Sequence, residues 1–172
     1  GMYVMIREGS SEKNLAALLP LVTDKTYKRC MLVVDDRSCV DLLRDGDIDG
    51  VVRQAMGRGL DPVRAIQLAT INTAQYFGLK RLGAIAPGYL ANLIVVGELS
   101  RLRLDMVFYR GRLVARDGEA LFPAYQLSGR GLTDTVNIKP FAVADLKLRA
   151  SGETQPVIEV VPGQIITRKR LE

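Results

Sequence analysis

Short apolar runs that end in charged turns organise the first third of the chain. Tyr3, Val4, Met5 and Ile6 run into Arg7-Glu8-Gly9-Ser10, and Cys30, Met31, Leu32, Val33 and Val34 run into Asp35-Asp36-Arg37-Ser38. The second run has no polar alternation, as expected of a strand covered on both faces. After the first turn, Ser10 or Ser11 can cap a helix whose apolar face includes Leu15, Leu18 and Leu19. A second helical region follows Ser38. Strand, charged turn and helix, twice over, is the βαβ pattern of a parallel sheet. In such sheets the polar residues just past the strand ends form the functional edge.

The next segments read as helices. Ile48, Val51, Val52, Ala55 and Met56 make one continuous helical stripe, which Asp45 or Asp47 can cap and Gly57 and Gly59 stop. Asp61-Pro62 restarts the chain with an N-cap and a first-turn proline. From there the pattern predicts one packed helix running to Gly78, with Thr70 and Asn72 in need of hydrogen-bond partners.

The chain changes character at residues 82–97, LGAIAPGYLANLIVVG, where turn residues give way to the strand-like Leu93-Ile94-Val95-Val96. Residues 104–109 and 112–115 flank Arg110-Gly111 as a β-hairpin would. Residues 117–137 read as an irregular linker, and 157–161 and 164–168 flank Pro162-Gly163 as a second pair of strands. The pattern therefore gives an α/β portion over residues 1–80 and a mostly β portion over 81–172.

Composition narrows the function classes. A chain of 172 residues with 48% hydrophobic and 25% charged residues can bury a globular core. No apolar run approaches the roughly 20 residues that span a bilayer, and no secretory pattern opens the chain, so no membrane partner and a cytoplasmic location are expected. Cys30 and Cys39 read as two reduced, buried thiols. The net charge of +5 comes from scattered basic residues, the tightest cluster being Arg168-Lys169-Arg170, so no nucleic-acid partner is expected. The chain contains no histidine. That excludes a histidine general base, a histidine-containing triad and any imidazole metal ligand within it.

The residues at the change of character resemble a known signature. GAIAPGYLANLIVV is similar to the Gly-x-Ile-x-Pro-Gly-x-x-Ala-Asp pattern of the amidohydrolase superfamily, with Asn92 where the pattern usually has Asp. MYVMIREGS, VVDDRS and DPVRAIQLATINTAQYFGL, at their spacing, resemble the microbial adenine deaminases of that superfamily. The resemblance implies a partial (β/α)8 metal-dependent-hydrolase barrel, its last two strand-helix units over residues 1–80, followed by part of a β-sandwich domain over 81–172. It also implies that the rest of such an enzyme is missing: a first sandwich segment, six barrel strands, the metal-binding histidines and a further C-terminal domain.

The same resemblance assigns the rim residues. Asp35 matches the aspartate at the end of the last barrel strand, which binds metal and accepts a proton from the attacking water. Asp36 is the neighbouring candidate, and the pair read on its own is equally a helix N-cap and a surface charge. Arg7, Glu8 and Ser10, with Asp36, would share the rim and shape a purine pocket, or serve in capping and ion pairing. The reaction implied for the complete enzyme is hydrolytic loss of the 6-amino group of adenine, giving hypoxanthine and ammonia. A divalent metal (manganese, iron or zinc) belongs to that complete enzyme, and the chain alone is expected to bind none and to be inactive. A dihydroorotase-like or imidazolonepropionase-like amidohydrolase, and a non-catalytic assembly module derived from the barrel end, are the other readings. Unpaired strand edges predict a homo-oligomer.

Overall fold

The computed structural model describes residues 1–123, 131, 134–149, 152–162 and 164–172. The fold is mixed α/β and forms two units, Gly1–Phe122 with Pro162–Ile165 and Pro123–Val161 with Ile166–Glu172.

In the first unit, β1 (Val4–Arg7) and β2 (Cys30–Val33) pair in parallel with Val4 opposite Cys30 and Ile6 opposite Leu32. Alternation puts Ile6, Cys30 and Leu32 on one face, where they join a buried cluster with Leu15, Val51, Val52, Ala55, Ala65 and Leu68. Arg7 and Val33 fall on the opposite face with Met5 and the fully buried Met31. The helices α1 (Leu15–Leu18), α2 (Cys39–Asp45), α3 (Ile48–Gly57), α4 (Pro62–Ala69) and α5 (Ile71–Tyr76) follow in order. The expected stripe on α3 is the buried one, with Val51, Val52 and Ala55 innermost.

Three local expectations give way to side-chain chemistry. Ser10 and Ser11 do not cap α1. Asn14 stands at that position, and its Oδ1 accepts from the Arg7 backbone N–H at 2.8 Å while its own N–H donates to Arg7 O at 3.0 Å. At α3, Asp47 makes no side-chain cap bond; Asp49 accepts the Asp47 N–H at 2.8 Å and pairs with Arg53 at 2.6 Å. The single helix expected up to Gly78 breaks at Thr70, where φ is −126° and ψ −91°. Thr70 Oγ1 donates back to Ile66 O at 2.6 Å, which competes with helix continuation. Asn72 is buried, and its amide donates to Tyr27 O at 2.7 Å and Cys30 O at 2.9 Å, tying α5 to the start of β2. Asp61 caps α4 as expected, accepting the Arg64 N–H at 3.0 Å.

The strands β3 (Leu93–Glu98), β4 (Arg103–Tyr109), β5 (Arg112–Arg116) and β6 (Glu119–Ala120) form an antiparallel sheet in that order. Arg110 and Gly111 make the hairpin turn with φ of 49° and 79°, the mirror-image geometry that two-residue hairpins favour. Asn92 Oδ1 holds that turn by accepting the Arg110 N–H at 2.9 Å. Leu102 enters the buried cluster from this sheet, with Val96 and Leu104 packed around it.

In the second unit, β7 (Pro156–Val160) and β8 (Thr167–Leu171) pair antiparallel, and Arg168, Lys169 and Arg170 lie exposed along β8. Much of the expected linker falls on residues 124–130, 132 and 133, outside the described residues. No helix among the described residues is long and apolar enough to cross a membrane.

Candidate active-site rim

Parallel pairing brings the C-terminal ends of β1 and β2 side by side, and the Glu8 N–H carries the ladder one residue further by donating to Val33 O at 3.2 Å. Arg7 and Asp35 meet there, with NH1 of Arg7 3.3 Å from Oδ1 of Asp35 and side chains 31% and 36% exposed. Asp35 has a φ of 69°, in the left-handed region that non-glycine residues rarely enter. It is not a helix cap. Ser38 caps α2, its Oγ accepting the Asp41 N–H at 3.1 Å.

Asp36 turns the other way. Its carboxylate accepts the Ser11 hydroxyl, the Ser11 N–H at 2.9 Å and the Glu12 N–H at 3.2 Å. The Ser11 hydroxyl and the Ser11 and Glu12 N–H groups hold its carboxyl at about 2, well below the ordinary aspartate value. Ser10 is equally committed: its hydroxyl donates to Asp41, and its Oγ accepts the Ser38 N–H at 2.8 Å. The Ser10 hydrogen bond is the leading reason that Asp41 also titrates low. Two serine-aspartate pairs thus stitch the turn after β1 to the turn after β2. Gly9 makes the close approach possible, because a Cβ there would overlap the Asp36 carboxylate and lie 3.0 Å from Val34 O.

Glu8 is 8% exposed, on the helix-facing side of β1, and its carboxylate has no hydrogen-bond or ion-pair partner among the described residues. It lines a polar groove with Lys13, Arg37, Asp45, Arg53 and Gln54. The structure therefore brings Arg7 and Asp35 together, places Ser10 and Asp36 in the stitching beside them, and leaves Glu8 on the other face. Ser11, Ser38, Asp41 and Gly9 went unassigned in the sequence reading. The spacing Ser38-x-x-Asp41 before an apolar stretch is a capping signal that could have revealed two of them.

The fit to a metal is poor within this chain. Among the described residues no three His, Cys, Asp or Glu side chains come together in a group that could hold an ion. Asp35 offers one carboxylate, whose nearest charge is the Arg7 guanidinium. An open catalytic metal site takes about three protein ligands. What the pair can do unaided is present an ionised, oriented carboxylate as a proton acceptor.

Residues 4–114 match the profile described as "Amidohydrolase family". The chain belongs to the amidohydrolase family. This amidohydrolase is 64% identical over 169 residues to the adenine deaminase of Dehalococcoides mccartyi, an alignment covering 98% of this chain and 30% of that protein. It is 43% identical over 169 residues to adenine deaminase 2 of Carboxydothermus hydrogenoformans, covering 98% and 30%. With the adenine deaminase of Oceanobacillus iheyensis the identity is 40% over 170 residues, covering 97% and 29%. The chain is thus homologous to a stretch of adenine deaminase and spans about 30% of the length of the curated relatives it matches.

The left-handed conformation at Asp35 has a measurable consequence for this amidohydrolase. Asp35→Ala should lose about 1–2 kcal/mol of stability, because alanine pays the full left-handed cost. Asp35→Asn and Asp35→Gly should stay close to wild type, since Asn tolerates that region and Gly is unstrained in it. Urea denaturation of the three variants tests this, and an Ala variant as stable as the Gly variant would refute it.

Proposed function

We propose that residues 1–172 supply part of the catalytic rim of an amidohydrolase that converts adenine and water into hypoxanthine and ammonia. The observation that carries the reading is the Arg7–Asp35 pair, standing at the adjoining ends of two parallel strands. Its context supports it: the chain is 64% identical to one adenine deaminase over nearly its whole length. In this reading residues 1–80 are the last two strand-helix units of a (β/α)8 barrel, and residues 81–172 are part of a β-sandwich. Asp35 takes the proton of the attacking water, and Arg7 keeps its carboxylate ionised and aimed. Ser10 and Asp36 border the purine pocket through the turns they hold, and Glu8 reaches it only from the helix side. A divalent metal (manganese, iron or zinc) enters the proposal as a property of the longer enzyme, to which this chain offers Asp35 alone.

The test is a graft. The 172-residue sequence replaces the matching stretch of the Dehalococcoides mccartyi adenine deaminase, and ammonia release from adenine is followed. The hybrid should be active, and Asp35→Asn within it should lower kcat by about 10²–10⁴. The separate chain should release no ammonia. Full activity in the Asp35→Asn hybrid would remove Asp35 from the chemistry.

We also propose that the separate chain self-associates. On α2, Val40 and Leu43 are 69% and 89% exposed, and neither β1 nor β2 has a second strand partner among the described residues. Light scattering at micromolar concentration should give a mass above the 18.9 kDa of one copy, and a clean monomer would count against it.

A further inference from the structure

We propose that Asp36 is a positioning residue: by clasping the turn after β1 it keeps Arg7 on Asp35, and it does not itself contact the substrate. This rests on the reading of Asp35 as the proton acceptor. The two neighbouring aspartates have divided their work. Asp35 faces Arg7 across 3.3 Å and remains one-third exposed. Asp36 has filled its acceptor sites with one O–H and two N–H donors from Ser11 and Glu12. A carboxylate so occupied has little left to offer a purine.

The clasp reaches Arg7 through a short, fully bonded path. Gly9 N–H donates to Glu12 O at 3.0 Å, and Ser10 N–H donates to Asp36 O at 3.2 Å, so the turn after Arg7 is closed on itself and on the second strand's end. Arg7 in turn is bracketed on its main chain by Asn14, at 2.8 and 3.0 Å. Its Nε is buried without a partner among the described residues, and the Asp35 contact is its side chain's one ion pair there. A guanidinium held by a single ion pair depends on its backbone for its aim. Releasing residues 9–12 would let Arg7 drift while leaving Ile6 and Leu32, on the other face, packed in the core.

The experiment uses the 172-residue chain. Hydrogen exchange of the Ser11 and Glu12 amides, the Arg7 Nε–H resonance and the Asp35 carboxyl carbon shift are recorded for wild type, Ser11→Ala, Asp36→Asn and Asp36→Ala. Exchange at Ser11 and Glu12 should quicken by about tenfold or more in Asp36→Ala, because bonds to a charged acceptor are lost. The Arg7 and Asp35 signals should shift together in that variant, partly in Ser11→Ala, and be partly restored in Asp36→Asn. Amide protection at Ile6 and Leu32 should not change. Arg7 and Asp35 signals that stay in place in Asp36→Ala would overturn the proposal. So would signals that move only when Ile6 and Leu32 lose protection, which would make Asp36 a general stabiliser; if Asp36→Ala fails to fold, Ser11→Ala decides by the same criterion. The clasp and the catalytic reading fail separately, because an active Asp35→Asn hybrid would sink the latter and leave these signals as they are.

Discussion

Gly83→Ala is expected to destabilise the chain by about 2–4 kcal/mol, the sum of a left-handed penalty of roughly 1–2 and an overpacking cost of roughly 1–3. Gly83 has a φ of 86°, and a Cβ there would lie 2.8 Å from Ile71 Cα and 3.0 Å from both Ile71 N and Ala74 Cβ. Two of those three atoms are main chain of α5 and cannot rotate away. Gly88, five residues on, is the control. Its φ is 81°, but nothing lies within 4 Å of its Cβ position, so Gly88→Ala should pay the conformational penalty alone. Denaturant melts of the two variants separate the terms. Equal losses would mean that the crossing over α5 is looser than described.

The second large effect is expected at Gly9. Gly9→Ala forces the Asp36 carboxylate out of its bonds with Ser11 and Glu12 while Val34 O stays 3.0 Å from the new methyl group, for a loss of about 1–3 kcal/mol. The mechanism is checked by a double-mutant cycle. In an Asp36→Ala background most of the overlap is gone, so the same glycine replacement should cost visibly less. Strict additivity would show that the obstruction is the Val34 carbonyl and not the carboxylate.

Much of the fold was legible because each signal was local. The apolar runs at residues 3–6 and 30–34 became β1 and β2, the stripe from Ile48 to Met56 became the inner face of α3, and Arg110-Gly111 became a hairpin turn. Periodicity could not show the break at Thr70, because an apolar pattern averages over several turns while the break depends on one hydroxyl. The rim was legible in its membership and not in its wiring. Parallel strands necessarily bring their ends together, so Arg7, Ser10, Asp35 and Asp36 had to be neighbours. That Asp35 faces a guanidinium 28 positions earlier while Asp36 takes hydroxyl and amide donors 24 and 25 positions earlier is a tertiary fact with no local trace. The serines were misread for the same reason: a cap and a cross-strand stitch call for the same residue type.

Asn92 makes the signature residues unequal as identifying marks. What position 92 supplies is an oxygen that accepts the Arg110 N–H at 2.9 Å, and a carboxylate oxygen would accept it as well. Interchange between Asn and Asp there changes the spelling without changing the turn, whereas at Gly83 any side chain meets the backbone of α5. A pattern search for such chains gains discrimination by holding the glycine fixed and letting the acidic letter vary.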